Sequence, residues 1–586
     1  MSPRLQPTLL LALSVCRCLI PSLAQYGHVD FKTSCDPIVT NDFNAALSRL
    51  YSFEYGQAKV AFDQISSQDP DCCIAYFMAA SSFTHPIWTF ISDDDFKHAA
   101  TYSMRATECA QKSRKITQRE KGYIRALAVY ANVSDPAVAE PAARLQAYAD
   151  AMKRDVYTWV ETDINAGILY GLALLAVGYY NEHEPADGFP HLTEAGRIQE
   201  QMMARDPNAP GALHYIVHAY DQPATATKAL AAAHALERNS LAVPHAIHMP
   251  SHIYSDRGLW NLSVRANMNS LNKAYQAMGN FTGPDWFHGA YFLQFALLQL
   301  AMDCDARKLV QHFQLLAVQV PTVFFRHLES IVRVPVMLIV ETRDWEHAAA
   351  FDLETLYNTS SAAVWDQNTW TRIYANFLNV VGKCVLGHPV ADIQASSDAL
   401  QQANKTLWAD GSWVKLQMPY YRLSFEIMVR GALAWKQFRL VSFKSGIDAM
   451  IKVCTFQSEA WHPEIGHTWD CHEQLAEMYL LRNGPGDLQS ALAAYELAYT
   501  VYPNRFGSMA GAGRCAQLLG DRTKACSYYS QLTKLTCVSG LPVVSFDGLT
   551  PADCPKYLPD RRPELIIAHA YLQDNCQEAN ASFTLI

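Results

Sequence analysis

The chain has 586 residues, of which 50% are hydrophobic and 18% are charged, and its formal net charge is −9. A chain of this length is expected to form several domains or a repeat array, because single cores stop growing well below this size. The acidic balance, together with the lack of a dense Lys/Arg block, argues against binding to nucleic acid or to an anionic membrane surface.

The first element along the chain predicts a secretory leader. Arg4 precedes a short apolar run at 9–15, and Ser22-Leu23-Ala24, with small residues at its first and third positions, fits a cleavage site. Arg17 interrupts the run, which makes it too short for a membrane span. We therefore expect residues 1–24 to be a signal peptide and the protein to be secreted or extracellular; an apolar leader that stays attached is the alternative.

Sequons and cysteines agree with a secretory route. Six N-glycosylation sequons begin at Asn132, Asn261, Asn280, Asn358, Asn404 and Asn580. The chain has 15 cysteines, and an odd number remains after the leader, so at least one should stay outside any intramolecular disulfide. An oxidising compartment favours disulfides. The best candidates for pairing crowd the C-terminal end and are Cys515, Cys526, Cys537, Cys554 and Cys576.

Two distant segments share one spacing of an alanine, an aromatic residue four positions on, and a proline eight further. They are Ala58-Phe62-Pro70 and Ala491-Tyr495-Pro503, and the pair Ala525-Tyr529 lies 34 residues after the second. The spacing resembles the tetratricopeptide repeat, a 34-residue helix–turn–helix unit. In that unit the small residue allows close helix packing, the aromatic fills the gap between repeats, and the proline ends the second helix. The resemblance implies an all-α, tetratricopeptide-like helical-repeat solenoid.

This pattern predicts a domain organisation. After the leader we expect N-terminal repeats carrying a histidine cluster at 25–278, divergent helical repeats at 279–480, and C-terminal repeats with a cysteine-rich tail at 481–586. The most apolar later stretch, at 166–180, is short and contains glycine, so it is predicted to be a buried helix. No membrane span is expected.

Five histidines fall into two matched segments. The stretch PHAIHMPSHIY contains His245, His248 and His252, and it aligns on PGALHYIVHAY with an offset of 34, so that His214 meets His248 and His218 meets His252. Each matched pair is spaced i, i+4, which places its side chains on one helix face. Because the first helices of neighbouring repeats pack side by side, we expect these four imidazoles to converge on one site.

Neighbouring residues extend or modify this site. His245 falls on the same helical stripe as the pair that follows it, and His288 follows a proline by four residues, as the first histidine of the earlier pair does. Four positions after His288 stands Phe292 where a second histidine would be. Pro250 predicts either a kink that aims His252 at the other rings or a helix that begins only there, with the preceding histidine on a loop.

Neutral imidazole is a good ligand for transition metals, so the cluster predicts a zinc or copper site. The candidate ligands are His214, His218, His245, His248, His252 and His288. Four histidines would form a closed structural or storage site, whereas three with a water would suit metal-dependent hydrolysis or oxidation. Asp221 would be a fourth ligand or an acceptor for a ligand, and Tyr220 and Tyr254 could donate hydrogen bonds nearby. Histidines repeated only for packing are the alternative.

The motifs also resemble a more specific group. HYxxHA at 214–219 and HMPSHIY at 248–254 are similar to segments of long proteins, common in bacteria, within the tetratricopeptide superfamily. The stretch at 50–88 resembles the opening repeat of the same group. The resemblance covers about the first half of the chain, and it implies a fold and a motif but no reaction.

Other histidines fit structural roles better. His85 could reach the site, but its position before a proline favours a turn. His462, His467 and His472 follow each other at steps of five, which does not give a shared helix face, so we interpret them as a solvated face or a packed turn. The chain contains no HExxH, GxSxG or GxxxxGK[ST] motif. The alternative function is therefore a non-enzymatic scaffold that binds a protein or peptide partner in its concave groove.

Overall fold

A computed structural model describes most of the chain, in eleven segments. They are 27–87, 92–132, 140–181, 189–239, 242–278, 284–319, 325–357, 369–409, 419–459, 469–537 and 562–576. Within these segments the chain is helical and contains no strand, which confirms the predicted all-α repeat fold. The predicted signal peptide lies outside the described residues.

The helices are short and follow each other closely. Helices α1 to α14 are Thr40–Tyr51, Tyr55–Gln68, Cys73–Ser81, Asp93–Lys112, Gln118–Tyr130, Pro141–Asp155, Ile164–Asn181, Pro190–Arg205, Pro210–Ala219, Ala226–Asn239, Pro244–His248, Pro250–Asp256, Trp260–Met278 and Pro284–Gln299. Helices α15 to α27 are Asp303–Gln319, Phe325–Glu341, Trp345–Ala349, Leu353–Tyr357, Trp370–Leu386, Val390–Ala409, Pro419–Leu440, Phe443–Glu459, Cys471–Arg482, Asp487–Val501, Phe506–Leu518, Arg522–Thr536 and Pro563–Asn575. Single 3₁₀ turns at Pro37–Val39 and Tyr157–Trp159 precede α1 and α7.

Helix packing follows the repeat. Consecutive helices contact each other along the chain, and alternate helices such as α7 and α9, or α14 and α16, also touch. Each helix therefore packs on its hairpin partner and on a helix of the next repeat, as expected for a repeat array. Pro210, Pro244 and Pro284 each occupy the first position of a helix, where the missing N–H leaves no hydrogen bond unmade.

The alanine–aromatic spacing works as predicted in the C-terminal repeats. A Cβ added to Gly511 would lie 2.3 Å from Cζ of Tyr495, and one added to Gly513 would lie 2.6 Å from Cε1 of Tyr529. Both tyrosine rings are fully buried. Tyr495 on α24 and Tyr529 on α26 thus each fill a notch that a glycine leaves on the surface of α25.

The array curves back on itself. Helix α25 of the C-terminal repeats contacts α14 of the middle of the chain. The Phe506 amide donates to Gln299 Oε1 at 2.9 Å, and Trp260 Nε1 donates to the Asn504 carbonyl at 2.7 Å. These contacts join segments more than 200 residues apart, so the C-terminal repeats support the helices that carry the histidine cluster.

Helix α7 corresponds to the most apolar stretch of the sequence. Leu175 and Val177 on it are fully buried, which confirms the prediction of a buried helix. Among the described residues, no helix combines the length and the apolarity that a membrane crossing requires.

Disulfides join neighbouring helices and turns. The described pairs are Cys35–Cys72, Cys73–Cys109, Cys454–Cys471 and Cys526–Cys576. Cys384, Cys515 and Cys537 carry free thiols, which confirms that at least one cysteine stays unpaired. Of the C-terminal candidates for disulfides, Cys526 and Cys576 are paired. The prediction is wrong for Cys515, which is buried in α25, and for Cys537, which is exposed just after α26. Cys554 lies outside the described residues.

The cysteine pairs are compatible with an oxidising, extracellular setting, while secretion itself remains a prediction. Two sequon asparagines, Asn132 and Asn261, are exposed. Asn404 is half-buried and accepts a hydrogen bond from Trp408 Nε1 at 2.8 Å. The sequons at 280, 358 and 580 lie outside the described residues.

Candidate metal centre

The six predicted histidines come together in two groups of three. The first triad is His214, His218 and His245, and the second triad is His248, His252 and His288. Within each triad the potential ligand atoms all lie within 4.8 Å of one another, and the six side chains are only 1–5% exposed. The expected grouping of both i, i+4 pairs in one four-histidine site is therefore wrong. Each pair instead takes its third member from a later helix.

Helix geometry explains the division. His214 and His218 lie on α9, and His245 and His248 are the second and the last residue of α11. A step of three residues turns a side chain by about 300°, so the two α11 rings point about 60° apart. That difference lets His245 face α9 while His248 faces α14, which α11 contacts.

Pro250 interrupts the helix between the two α11–α12 histidines without creating a loop. Met249 keeps helical angles, with φ −52° and ψ −37°, and donates to the His245 carbonyl at 3.0 Å. A new helix does begin at Pro250, as one alternative predicted, but His248 lies on the last turn of α11 and not on a loop. The bend therefore leaves His248 and His252 on one continuous face.

The ring nitrogens are spaced like donors to a common ion. In the first triad, His214 Nε2 lies 3.1 Å from Nε2 of His245 and 3.1 Å from Nε2 of His218. In the second triad, His248 Nε2 and His252 Nε2 are 2.9 Å apart. Two donors bound to one ion at about 2.0–2.1 Å stand about 2.8–3.4 Å from each other, so all three distances fit shared coordination.

The third member of the second triad and the gap between the triads are defined by ring distances. The His288 ring centroid lies 4.6 Å from that of His248 and 5.7 Å from that of His252. Between the triads, the His245 and His248 centroids are 6.4 Å apart, which is close to the 6.0 Å between His218 and His245 inside the first triad. The two triads are therefore adjacent.

Hydrogen bonds on the opposite side of the rings set their tautomers. His214 Nδ1 lies 2.7 Å from the Tyr51 carbonyl oxygen, and His252 Nδ1 lies 2.7 Å from Asp221 Oδ2. A carbonyl and a carboxylate only accept, so both Nδ1 atoms must donate. In neutral rings, the Nε2 atoms then carry lone pairs directed into the triads.

The same logic applies to His248. Its Nδ1 lies 2.6 Å from Asn267 Oδ1. The orientation of that amide is fixed because Asn267 Nδ2 donates to the Ser263 carbonyl at 2.8 Å, and Ser251 Oγ donates to the same Oδ1 at 3.2 Å. His248 Nδ1 is therefore the donor, and Nε2 faces His252 with a lone pair.

Burial favours the neutral form of two rings of the first triad, His214 and His245. It lowers the pKa of His214 to about 4, against a smaller raising effect of the hydrogen bond to Tyr51 and a further lowering by charge on His252. It also lowers the pKa of His245 well below the ordinary histidine value, with repulsion from four neighbouring histidines adding to the effect. Neutral imidazoles are the form that binds metal ions.

Asp221 accepts a hydrogen bond from Nδ1 of a predicted ligand, His252, and so contacts the second triad through that ring. Asp256, on the next turn of α12, is buried, and both burial and the charge of Asp221 raise its pKa well above the ordinary carboxyl value. Both effects oppose a second negative charge on Asp256 beside Asp221.

Two phenylalanines cover the triads. The Phe53 ring lies 4.6 Å from His214, 5.5 Å from His218 and 5.5 Å from His245, measured between centroids. Phe292 lies 4.8 Å from His248 and 4.3 Å from His252. Phe53 has a positive φ of 63°, a strained conformation for a non-glycine residue that persists where the surroundings enforce it. The sequence marked position 292 but gave no local signal for Phe53.

Several predicted contributions to the site do not reach it. Tyr254 donates to Glu237 Oε2 at 2.9 Å, and Tyr220 packs against Gly196, because a residue two positions after a helical histidine lies about 200° around the axis. The His85 ring packs edge-on against the Tyr55 ring, with 4.6 Å between the two centroids. Tyr55 in turn stacks on the phenylalanine that covers the first triad, so the interpretation of a turn histidine holds.

The later histidines are described in part. His472 is buried near the start of α23, with Nδ1 3.4 Å from Asp470 Oδ1. The packed-turn interpretation is therefore confirmed for it and the solvated face is wrong. His462 and His467 lie outside the described residues.

Comparisons with known proteins add little. No known protein family matches the chain, and no curated protein matches it. Among solved structures, yeast Tom70 aligns at 10% identity over 93% of this chain and 97% of that one, with a TM-score of 0.25. The complex of Naa15/Naa10 bound to HypK-THB aligns at 10% identity over 84% of this chain and 75% of the other, with a TM-score of 0.22. Scores at this level carry no argument about function.

The fold and the site together define a class of protein. The described residues form an α-helical repeat array in which adjacent repeats enclose two histidine triads, and the likeness to the tetratricopeptide repeat stays a prediction from the sequence spacing. The finer resemblance to the group with HYxxHA and HMPSHIY motifs remains a prediction.

Proposed function

We propose that this protein is a metalloprotein that binds transition-metal ions, zinc or copper, with one ion in each histidine triad. One observation carries the proposal. His248 and His252 both donate through Nδ1, to an amide oxygen and to a carboxylate, and their Nε2 atoms stand 2.9 Å apart. Two lone pairs at that distance repel each other in a buried site unless a metal ion or an added proton lies between them, and a metal ion would also engage the third ring of the triad, His288.

The outer hydrogen bonds support the same proposal. Metal-bound histidines usually donate their second N–H to a carboxylate, an amide or a backbone carbonyl, which fixes the ring and strengthens the donor. His252, His248 and His214 have one such partner each. Such a set of partners on several convergent rings is not needed for packing alone.

The donor set also limits the chemistry. Three imidazoles leave a coordination position open on each ion. An open position on zinc activates water for hydrolysis, and on copper it admits an oxidant. Hydrolysis and oxidation are therefore both compatible with the triads, and the identity of the ion decides between them.

Elemental analysis of the purified full-length protein tests the proposal. Wild type should carry one ion per triad. His214→Ala/His218→Ala should remove the ion of the first triad only, and His248→Ala/His252→Ala that of the second only. His347→Ala is a matched control, because His347 is exposed and bonded only locally to Asp344.

The possible outcomes separate the alternatives. Since truncation of buried rings can unfold the chain, His252→Gln serves as a milder variant, and circular dichroism monitors the fold of each protein. A folded wild-type protein that takes up no zinc or copper would refute the proposal. The imidazoles would then be packing residues, and the scaffold that binds a protein or peptide partner would become the leading function.

A further inference from the structure

The two triads are close enough to act as one centre. His245 of the first triad and His248 of the second stand three residues apart on α11, with centroids separated by 6.4 Å. Ions held in the two triads would therefore face each other across a short gap.

The charge of the donors favours copper over zinc. An imidazole that binds a metal ion through a ring nitrogen contributes no charge, and the carboxylate in contact with a donor ring, Asp221, is bound to His252 Nδ1. Two divalent ions would bring four positive charges into a site whose side chains are 1–5% exposed, with little to balance them. Two cuprous ions bring half that charge. Imidazole is a suitable donor for copper in both oxidation states.

The surroundings restrict what can reach the ions. Phe53 packs over the rings of the first triad and Phe292 over those of the second, and both phenylalanines are buried. A small, uncharged molecule can enter such an apolar, enclosed space more readily than a charged or bulky substrate. Dioxygen is a molecule of this kind, small and without charge.

On this basis we propose that the paired triads form a dicopper centre that binds dioxygen between its two ions; this inference rests on the proposed metal binding. Each cuprous ion gives up one electron. Dioxygen takes up both and becomes a bound peroxide dianion, and the ions become cupric, so the step needs no proton and no further reductant. The peroxide also offsets two of the four positive charges that oxidation creates.

Anaerobic loading with Cu(I), followed by exposure to dioxygen, tests the inference in the full-length protein. The bound copper is counted first. After oxygen is admitted, we expect an intense near-ultraviolet peroxide-to-copper charge-transfer band, an isotope shift of the oxygen stretch in resonance Raman spectra with labelled dioxygen, and little cupric EPR signal, because two bridged cupric ions couple magnetically.

The outcomes of this experiment distinguish the dioxygen inference from the proposed metal binding. Copper held in both triads that oxidises to give the full EPR signal of isolated ions, without the band, overturns the dioxygen inference and leaves metal binding intact. Failure to hold copper overturns both proposals. His288→Gln should abolish the band while the first triad keeps its copper, and His347→Gln should leave the band unchanged. A band that survives in His288→Gln would contradict a shared centre.

Discussion

Asp221→Asn offers a sharp test of how the second triad is held. The carboxylate accepts the Nδ1 proton of His252 at 2.7 Å and is buried. The substitution keeps the shape of the side chain but removes its charge, and an amide NH₂ turned toward the ring would force the proton onto Nε2. Metal affinity should therefore fall selectively in the second triad.

The size of the effect follows from the distances. An ion on His252 Nε2, at the usual metal–nitrogen distance, stands roughly 7 Å from the carboxylate. With an effective dielectric constant of about 20, the lost attraction is about 2 kcal/mol per unit of ion charge. For a cuprous ion this weakens binding by about 10–100-fold, the usual effect of removing an outer partner of a metal ligand.

Asp256 limits the loss. Its pKa is raised partly by the charge of Asp221, so in Asp221→Asn the Asp256 carboxyl becomes easier to ionise and can restore part of the negative charge. The double variant Asp221→Asn/Asp256→Asn should therefore bind the second ion more weakly than Asp221→Asn alone.

Anaerobic competition with a Cu(I) chelator measures both affinities. Asp206→Asn is the matched control, because Asp206 lies on a solvent-accessible turn and bonds to His28 and to the Asn208 amide. An equal loss in both triads would point to general destabilisation. Unchanged affinity of the second triad in Asp221→Asn would refute the role assigned to the hydrogen bond.

Packing, titration and metal linkage give further expectations. Gly511→Ala should destabilise the C-terminal repeats by about 1–3 kcal/mol in urea unfolding, because its methyl would overlap the Tyr495 ring. Gly56→Ala is the control, because an added methyl there would meet nothing within 4 Å. Equal effects of the two substitutions would contradict the packing of Tyr495 against Gly511. Burial lowers the pKa of His312 to about 4, below about 6.5 in the unfolded chain. Metal-free protein should therefore lose at most about 3 kcal/mol through this residue as pH falls from about 6.5 to about 4; His312→Leu should reduce that loss, and an unaltered acid profile would contradict it. Chelation should lower the wild-type Tm in calorimetry, since an ion present at about 1,000 times its Kd stabilises by about 4 kcal/mol; an unchanged Tm after complete metal loss would argue that the ions do not stabilise the fold.

The repeat period carried most of what the sequence could predict. The 34-residue offset and the i, i+4 spacing are local features, and they correctly brought α9, α11 and α12 to one place. The division into triads was not accessible in this way. It depends on a rotation of about 60° between His245 and His248 and on which neighbouring helix each ring meets, and both are set by packing of whole helices.

Contributions from distant segments were missed for a related reason. Phe53 and the Tyr51 carbonyl come from the α1–α2 turn, more than 150 residues from His214, and a backbone carbonyl leaves no mark in a sequence. Asn267 is recognisable only after the fold places it beside His248. Long-range closure of the array, and not local propensity, determines these partners.

The two triads follow a single construction rule. In each, an i, i+4 pair is completed by a histidine in the first part of a later helix: His245, the second residue of α11, for the pair on α9, and His288, the fifth residue of α14, for His248 and His252. An ion in either triad therefore joins consecutive repeats. Repeat proteins owe their stability to nearest-neighbour interfaces, so metal binding would strengthen the interfaces that shape the centre. In the third repeat Phe292 replaces the next histidine and packs on His252, which ends the series with an apolar wall where a further pair would begin.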